Sequence, residues 1–397
     1  MNYIEVAQGV NPKFQNKINQ SVVFNYLKAK GPAHKSSIAE ELGLSIPAIS
    51  RAVDSLAAAG YLKALDNQKS KAGRSVSFYQ VSVSQGFVIG IDLLKHSLAV
   101  ESLGADKSLW NHRFVQDDSP LPVLLAREIE KAISLLPEGM GKRNLKAIGI
   151  GSPGIVDEKT GEIKTALFHK EYEGLNLRKP LEKTFKRPVY IDNVVNLSAF
   201  AEFQSRKDQN LGNLLCLDIG FEIGAGLVIE GKLYRGANSA AGEIGFLTDI
   251  PDKNAPIEQR YARTHSFVWL CAQAKERLGW DSDYLDYKKK DQNLEIPKRL
   301  FEEAQNGNKE AKAIVDAYLN RLSALINNVQ SVLDADTIVM GGDLCDMPGI
   351  KNRLPKVQAY KALELQYSQY GNQTALRGAC RWAAETYLAN EFPYVMH

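Results

Sequence analysis

The sequence predicts an α/β protein in which a small N-terminal winged helix-turn-helix precedes a larger domain of two α/β lobes. Three observations support this prediction. Basic residues are in excess only in the first 85 residues, and caps and glycines divide that stretch into three short helices and a hairpin. A strand-turn-strand pattern then occurs twice in the remainder of the chain, which predicts a duplicated unit with a cleft between its halves.

The composition is that of a globular chain long enough for two or three domains. Hydrophobic residues make up 44% and charged residues 24% of 397 residues. No apolar run approaches the ~18 residues of a membrane span. The first ten residues lack the basic region and apolar core of a secretory signal, so we expect a cytoplasmic protein with no membrane partner. The cysteines are isolated from one another, which predicts buried thiols and no metal ligand set.

The net charge of +3 is unevenly distributed. The first 85 residues carry ten Lys or Arg against five Asp or Glu, whereas the remaining residues carry 39 against 41. A basic small domain attached to a nearly neutral larger one is typical of a nucleic-acid reader with a regulatory partner domain.

The first two helices are delimited by glycines. Apolar residues at helical spacing predict a first helix over 16–30 that stops at Gly31. A second helix is expected to be capped by Ser36 or Ser37. It should end at Gly43, where a left-handed conformation needs no Cβ.

The third helix carries the predicted contacts to DNA bases. Ser45 caps it, and Pro47 is tolerated in its first turn. Ser50, Arg51 and Asp54 are the exposed polar side chains, and Asp54 is expected to orient Arg51 or to cap nothing. Arg51 is the best candidate for a base or phosphate contact, because a guanidinium binds either in a bidentate manner. A plain three-helix bundle is the alternative interpretation.

A basic loop between two predicted strands favours the DNA-binding interpretation. The strands cover 61–65 and 76–83, and the loop between them contains Lys71, Gly73 and Arg74. Such a loop is typical of a wing, whose basic side chains can enter the narrow, electronegative minor groove of A·T-rich DNA.

The remainder of the chain predicts two lobes, over 86–192 and 193–376. A strand, a turn and a second strand follow one another over 87–103 and again over 213–233. The stretch from 188 to 202 changes from a strand period to a helix period at Asp192 and Asn193. Turns at the carboxyl ends of strands are where α/β proteins bind ligands.

Four segments resemble the ROK family of repressors, uncharacterised reading frames and sugar kinases. They are the winged helix with its Gly73-Arg74 pair, the GSPGIV run at 151–156, the region of Asn193, Asn196, Ala201 and Glu202, and the run at 236–245. The resemblance covers about 15–390. It implies an actin-like, sugar-kinase-like domain in which a last helix returns, so that about 377–397 complete the first lobe.

The resemblance also implies a sugar site between the lobes. Its candidate residues are Ser152, Pro153, Gly154, Asn193 and Glu243. The family's catalytic aspartate falls on Val194, which has no proton-accepting atom, so no catalytic residue is expected. The family's sugar-contacting asparagine is absent from 165–174, where Phe168, His169 or Lys170 would have to replace it.

Further departures from the family pattern affect phosphate and zinc. Leu94 and His96 replace the glycine and threonine of the phosphate loop, so Asp92 is expected to be held by backbone amides and not by magnesium. Glu222 would repel a phosphate. Phe246 replaces a histidine that ligates zinc in the family, and 247–269 contain no cysteine, so we expect neither zinc nor another cofactor.

Together these features predict a ROK-type regulator, a homodimer or homotetramer, that binds operator DNA and a sugar or sugar derivative. Repression relieved by the ligand is the commoner family arrangement, with activation as the alternative. Val194 and Phe246 favour a ligand with a deoxy, acetylated or otherwise less polar face. One alternative is an ATP-dependent hexose kinase with an accessory DNA-binding domain. Another is a regulator that has lost its ligand and answers to a protein partner.

Overall fold

A computed structural model describes residues 12–65, 68–69, 75–82, 86–103, 108–250, 254, 256–280, 294–354, 357–358, 362–363 and 365–395. The predicted wing contacts Lys71, Gly73 and Arg74 lie outside the described residues.

The described helices are α1 (Pro12–Lys30), α2 (Lys35–Leu42), α3 (Ile46–Ala58), α4 (Leu121–Ser134), α5 (Arg178–Phe185), α6 (Val194–Gln204), α7 (Tyr261–Thr264), α8 (Phe267–Leu278), α9 (Glu295–Gln305), α10 (Lys309–Leu333), α11 (Ile350–Arg353) and α12 (Thr374–Glu391). The strands of the N-terminal part and first lobe are β1 (Ala33–His34), β2 (Leu62–Ala64), β3 (Gln68–Lys69), β4 (Ser75–Val76), β5 (Phe78–Val81), β6 (Phe87–Asp92), β7 (Ser97–Ser102), β8 (Ser108–Arg113), β9 (Leu145–Ser152), β10 (Ile155–Val156), β11 (Ile163–Thr165) and β12 (Val189–Asn193). Those of the second lobe are β13 (Leu214–Ile219), β14 (Ile223–Ile229), β15 (Lys232–Tyr234), β16 (Thr337–Gly341), β17 (Val357–Gln358), β18 (Ala362–Leu363) and β19 (Leu365–Tyr367).

Helices α1 to α3 and a three-stranded sheet form the winged helix-turn-helix. The Oγ of Ser45 accepts from the backbone N–H of Ala48 at 3.4 Å and caps α3, as predicted. The predicted cap of α2 was wrong. His34 caps that helix, because its Nδ1 accepts from the N–H of Ser37 at 3.2 Å. Gly43 ends α2 with φ +61°, in the left-handed region where glycine is favoured.

The sheet beside these helices has the order β1-β5-β2, and β3 and β4 form a separate two-stranded sheet. Strand β3 pairs antiparallel with β4, so part of the predicted wing loop is paired backbone. The described part of the predicted wing is thus a pair of short antiparallel strands.

The two lobes share one sheet topology, which confirms the predicted duplication. The first sheet has the order β12-β9-β6-β7-β8, and the second has the order β19-β16-β13-β14-β15. In each, the first three strands are mutually parallel, and each of the last two strands pairs antiparallel with the strand before it.

Helices α6 and α12 pack against each other between the two sheets. Glycine allows their close approach: a Cβ at Gly378 of α12 would stand 2.1 Å from the carbonyl oxygen of Leu197 on α6. A Cβ at Gly149 of β9 would likewise stand 2.0 Å from the carbonyl oxygen of Ala379. Helix α12 thus packs on the first sheet and on the helix that begins at the predicted ligand site.

The segment after α12 is packed into the winged helix-turn-helix. The Phe392 ring stacks on Phe24 with 4.1 Å between ring centroids, and it meets Tyr61 edge-on at 4.9 Å. The Nδ2 of Asn25 donates to the carbonyl oxygens of Phe392 and Tyr394, each at 2.9 Å. The C-terminal segment therefore completes the core of the N-terminal domain.

Candidate functional site

The outer face of α3 presents the predicted DNA contacts. Ser45, Pro47 and Arg51 are exposed and Ser50 is half-buried. Asp54 does not orient Arg51 as expected, because its Oδ1 pairs with the Nζ of Lys35 at 2.6 Å.

A cavity of about 90 Å³ lies between the lobes at the amino end of α6. Of the predicted ligand residues, the structure brings Pro153, Gly154, Asn193 and Glu243 together around it. Ser152 does not reach the cavity. Its side chain is fully buried, and its hydroxyl donates to the carbonyl oxygen of Pro153 at 3.0 Å. Ser152 is therefore not part of the cavity wall in this structure.

Asn193 organises the turn at this cavity. Its Oδ1 accepts from the N–H of Val195 at 2.7 Å and caps α6, and its Nδ2 donates to the carbonyl oxygen of Gly154 at 2.7 Å. An amide group has a second hydrogen and a second lone pair, so Asn193 retains one donor and one acceptor for a ligand. Gly154 has φ +81°, and a Cβ there would stand 2.0 Å from the carbonyl oxygen of Thr165. The contacts of Asn193 and Gly154 thus fix the polar wall of the cavity.

A buried ion pair behind this turn was not predicted from the sequence. The Oδ2 of Asp192 accepts from the Nε of Arg235 at 2.8 Å, and the Nη2 of the same guanidinium lies 2.7 Å from that oxygen. The Arg235 guanidinium in turn lies 4.8 Å from the Trp382 ring of α12. This chain of contacts joins β12, the segment after β15 and the last helix. In the sequence, the polar break at Asp192 was the only feature that could have indicated this ion pair.

His169 and Glu222 meet across the cavity. The Nε2 of His169 lies 2.7 Å from the Oε1 of Glu222, so the first lobe contacts the second directly. Of the three predicted replacements for the family's asparagine, His169 and Phe168 line the cavity, whereas Lys170 pairs with Glu173 on the surface.

Glu243 faces the same cavity from the second lobe. Burial, together with the nearby charge of Glu222, raises the pKa of the Glu243 carboxyl to about 7. Its carboxylate makes no hydrogen bond or ion pair with any other residue that the structure describes. It is therefore available to a ligand.

A second cavity of about 400 Å³ adjoins the first on the side of the β6-β7 turn. Asp92 is held by backbone amides, as expected: its Oδ1 accepts from the N–H groups of Leu94 and Lys95 at 2.9 and 3.1 Å. Burial raises the pKa of Asp218 to about 6, while the charge of Lys95 opposes that rise. A lysine side chain thus lies among the carboxylates that line this cavity.

The segment that would carry the family's zinc site is held by stacked side chains. The Tyr261 and His265 rings lie 3.9 Å apart, and the Tyr261 hydroxyl donates to Asp249. Arg260 donates to the carbonyl oxygen of Phe246 at 3.0 Å, and Ser266 caps α8. Within the described ranges there is no group of three His, Cys, Asp or Glu side chains suited to a metal ion.

Comparisons with known proteins agree with this architecture. The sequence profile of the winged helix-turn-helix DNA-binding type matches residues 21–63. The xylose repressor of Caldicellulosiruptor bescii is 25% identical over 342 residues, which are 83% of this chain and 84% of that protein. The glucokinase of Halalkalibacterium halodurans is 29% identical over 208 residues, 51% of this chain and 62% of that protein. The relatives thus include both repressors and kinases.

A solved ROK family transcriptional regulator, described as a homolog of the E. coli MLC protein, superposes with a TM-score of 0.73. It is 20% identical and covers 95% of this chain and 97% of its own, so the shared fold extends over both domains. None of the helices with described positions has the length and apolar character needed to cross a bilayer. The profile of the ROK family matches residues 88–268 and 269–386, and the chain belongs to the ROK family.

Proposed function

We propose that this protein is a transcription regulator that binds operator DNA and senses a sugar, without kinase activity. DNA binding is supported by the exposed face of α3, by the paired wing and by the basic excess of the first 85 residues. A relative named as a xylose repressor aligns with most of this chain. In this proposal Arg51 contacts bases or phosphate, and Lys71, Gly73 and Arg74 contact the minor groove.

The position of Val194 is the main support for the proposed absence of kinase activity. It is the first residue of α6 and lines both cavities, at the place where a kinase of this family would need a proton acceptor. Loss of a general base costs ~10² to 10⁴ in rate. Lys95 and Glu222 further occupy the neighbouring cavity with charges of the protein itself.

The same geometry supports a route from the ligand to the DNA. Helix α12 contacts α6 beside the cavity and continues into the segment that packs on Phe24 and Tyr61. A ligand that favours one arrangement of the lobes would therefore also move the C-terminal segment that packs into the DNA-binding domain. In a cytoplasmic dimer, or a tetramer built of dimers, such a movement changes the spacing of two recognition helices.

Two measurements test this proposal. Operator sequences are selected from random duplexes with the full chain, and binding is followed by fluorescence anisotropy with and without a panel of monosaccharides. We expect specific binding that at least one sugar weakens by tenfold or so, in the range of ordinary allosteric coupling. A response in the opposite direction would make the protein an activator or a co-repressed regulator.

Kinase activity is measured as ADP release with the same sugars. We expect no sugar-dependent release above background. Turnover at the ~1 to 100 s⁻¹ typical of kinases would contradict the proposal.

A further inference from the structure

The charge of the cavity at Glu243 restricts the ligands that it can accept. The titratable side chains that line it are His169, Asp218, Glu222 and Glu243, and no Lys or Arg stands among the described residues of its lining. An anionic ligand would therefore meet three carboxyl groups and no fixed cation. A phosphorylated or acidic sugar is disfavoured by charge repulsion in this partly buried site.

Three of the four titratable groups already interact with another side chain of the protein. His169 and Glu222 pair across the cleft, with 2.7 Å between Nε2 and Oε1. The carboxyl group of Asp218 is influenced by the positive charge of Lys95 in the adjoining cavity. Neither the Asp218 nor the Glu243 side chain makes a hydrogen bond or ion pair with a described residue, but the neighbouring charge that acts on Glu243 is the carboxylate of Glu222 and not a lysine.

The size of the cavity sets a second limit. A volume of about 90 Å³ corresponds to roughly six to nine water molecules on the same measure. This is the scale of a single sugar ring. The neutral polar groups at Asn193 and the turn around Gly154 can serve its hydroxyls.

We propose that the ligand is a monosaccharide with a free, protonated amine, and that the Glu243 carboxylate is the counter-ion of this amine. The inference rests on the proposed sugar-sensing function and adds the charge of the effector to it. An amine hydrogen-bonded to a carboxylate is a charge-assisted pair, stronger than a hydroxyl in the same place. An N-acetylated sugar is neutral and bulkier at the position of the amine, so it cannot place a positive charge opposite Glu243.

The test is isothermal titration of the full-length protein with three sets of matched sugars. For glucose, galactose and mannose, the 2-amino sugar is compared with the parent hexose, the N-acetyl derivative and the amino sugar 6-phosphate. We expect one amino sugar to bind roughly tenfold more tightly than its parent hexose, the ratio expected when a neutral hydrogen bond becomes a charged one. The 6-phosphate should bind more weakly than the unphosphorylated amino sugar.

Two variants assign the effect to one carboxylate. Glu243→Gln retains a hydrogen-bonding side chain but carries no charge, so the ratio of amino-sugar affinity to parent-hexose affinity should fall to about one. Glu173→Gln removes the same charge from an exposed residue that pairs with Lys170 outside the cavity, and it should keep the full preference.

Tighter binding of the N-acetyl or phosphorylated sugar, or an amine preference that survives in Glu243→Gln, would overturn this inference. If that other sugar alters operator affinity, the proposed function stands and only the ligand's charge is wrong. If none of the sugars binds, both this inference and sugar sensing fall, and operator binding by the same protein sample remains as a separate result.

Discussion

Lys95 of the first lobe reaches Asp343 of the second, with 3.2 Å between Nζ and Oδ1. Burial disfavours the ammonium form of Lys95, but the carboxylates of Asp343, Asp218 and Asp92 outweigh burial and raise its pKa. The part of the cleft where ROK kinases are expected to hold phosphate thus contains an internal ion pair that connects the lobes.

Replacing Lys95 by Met should destabilise the protein by about 1 to 3 kcal/mol, because three carboxylates would lose a partly buried counter-charge. The free energy of unfolding from urea titrations measures this effect. Lys312→Met is the matched control, since the pair of Lys312 with Asp316 is exposed and should contribute less than about 1 kcal/mol. Equal stabilities for the two variants would show that the pair across the cleft contributes little.

Arg51→Ala should weaken operator binding and relax base preference at one position by about 1 to 3 kcal/mol if the guanidinium reads a base. If it contacts phosphate, binding should weaken uniformly across sequences. The slope of log affinity against log salt concentration should then decrease in magnitude by about one. Lys63→Ala, on β2 of the same domain, is the control for the loss of a positive charge outside α3. An unchanged operator affinity for Arg51→Ala would remove α3 from the recognition surface.

Phe392→Ala should detach the C-terminal segment from the DNA-binding domain. The ring is 5% exposed and packs on Phe24 and Tyr61, and comparable truncations cost about 3 to 5 kcal/mol. We expect a separate, earlier thermal transition of the N-terminal domain and a loss of operator affinity. Val395→Ala, at an exposed position, should change neither. A single unchanged transition in Phe392→Ala would argue against the coupling of the two domains through α12.

Sequence reasoning predicted local features well because they depend on near neighbours. Ser45 as a cap, Gly43 as a helix end and Asn193 at a strand-to-helix turn each follow from residues only a few positions apart. The same reasoning missed the pair of His169 with Glu222 and that of Asp192 with Arg235. Their partners are separated by tens of residues, and only the packing of the two lobes brings them together.

Sequence reasoning also assigned roles to serine residues that the structure does not place in those roles. Ser36 and Ser37 are ordinary helix caps, yet the ring of His34 occupies that position because its Nδ1 reaches the N–H of Ser37. Ser152 stands in a motif that borders the cavity, but the strand directs it inward, where it is fully buried. For the cap of α2, the pattern identified the right segment but not the right side chain.

The stability of the segment around His265 should depend on pH. Burial lowers the pKa of His265 from 6.5 to about 4, with Asp249 opposing and Arg321 reinforcing that shift. Between these values the unfolded chain binds a proton that the folded protein excludes, so this contribution to stability is lost as the pH falls from about 6.5 to about 4.

His265→Phe keeps an aromatic ring against Tyr261 and removes the titrating group. The difference in unfolding free energy between the original protein and this variant should shift in favour of the variant as the pH falls through that window. Urea titrations at pH 7.5, 6 and 5 measure it. A difference that does not vary with pH would show that His265 titrates normally.

The last prediction concerns Asn193, whose two contacts can be separated by substitution. Asn193→Ala removes the cap of α6 and the bond to the carbonyl oxygen of Gly154, so it should lower the free energy of unfolding by about 2 kcal/mol. Asn193→Ser retains a capping oxygen and loses only the bond to Gly154, so it should cost about 1 kcal/mol.

Both variants should bind the sugar more weakly, because the polar wall of the cavity depends on the bond to Gly154. Operator binding without sugar should survive in Asn193→Ser, since α6 remains capped and its packing on α12 is retained. Anisotropy titrations with and without the sugar separate these effects. If Asn193→Ser responds to the sugar as the original protein does, the bond to Gly154 does not shape the binding site, and the signal enters through the second lobe at Glu243 alone.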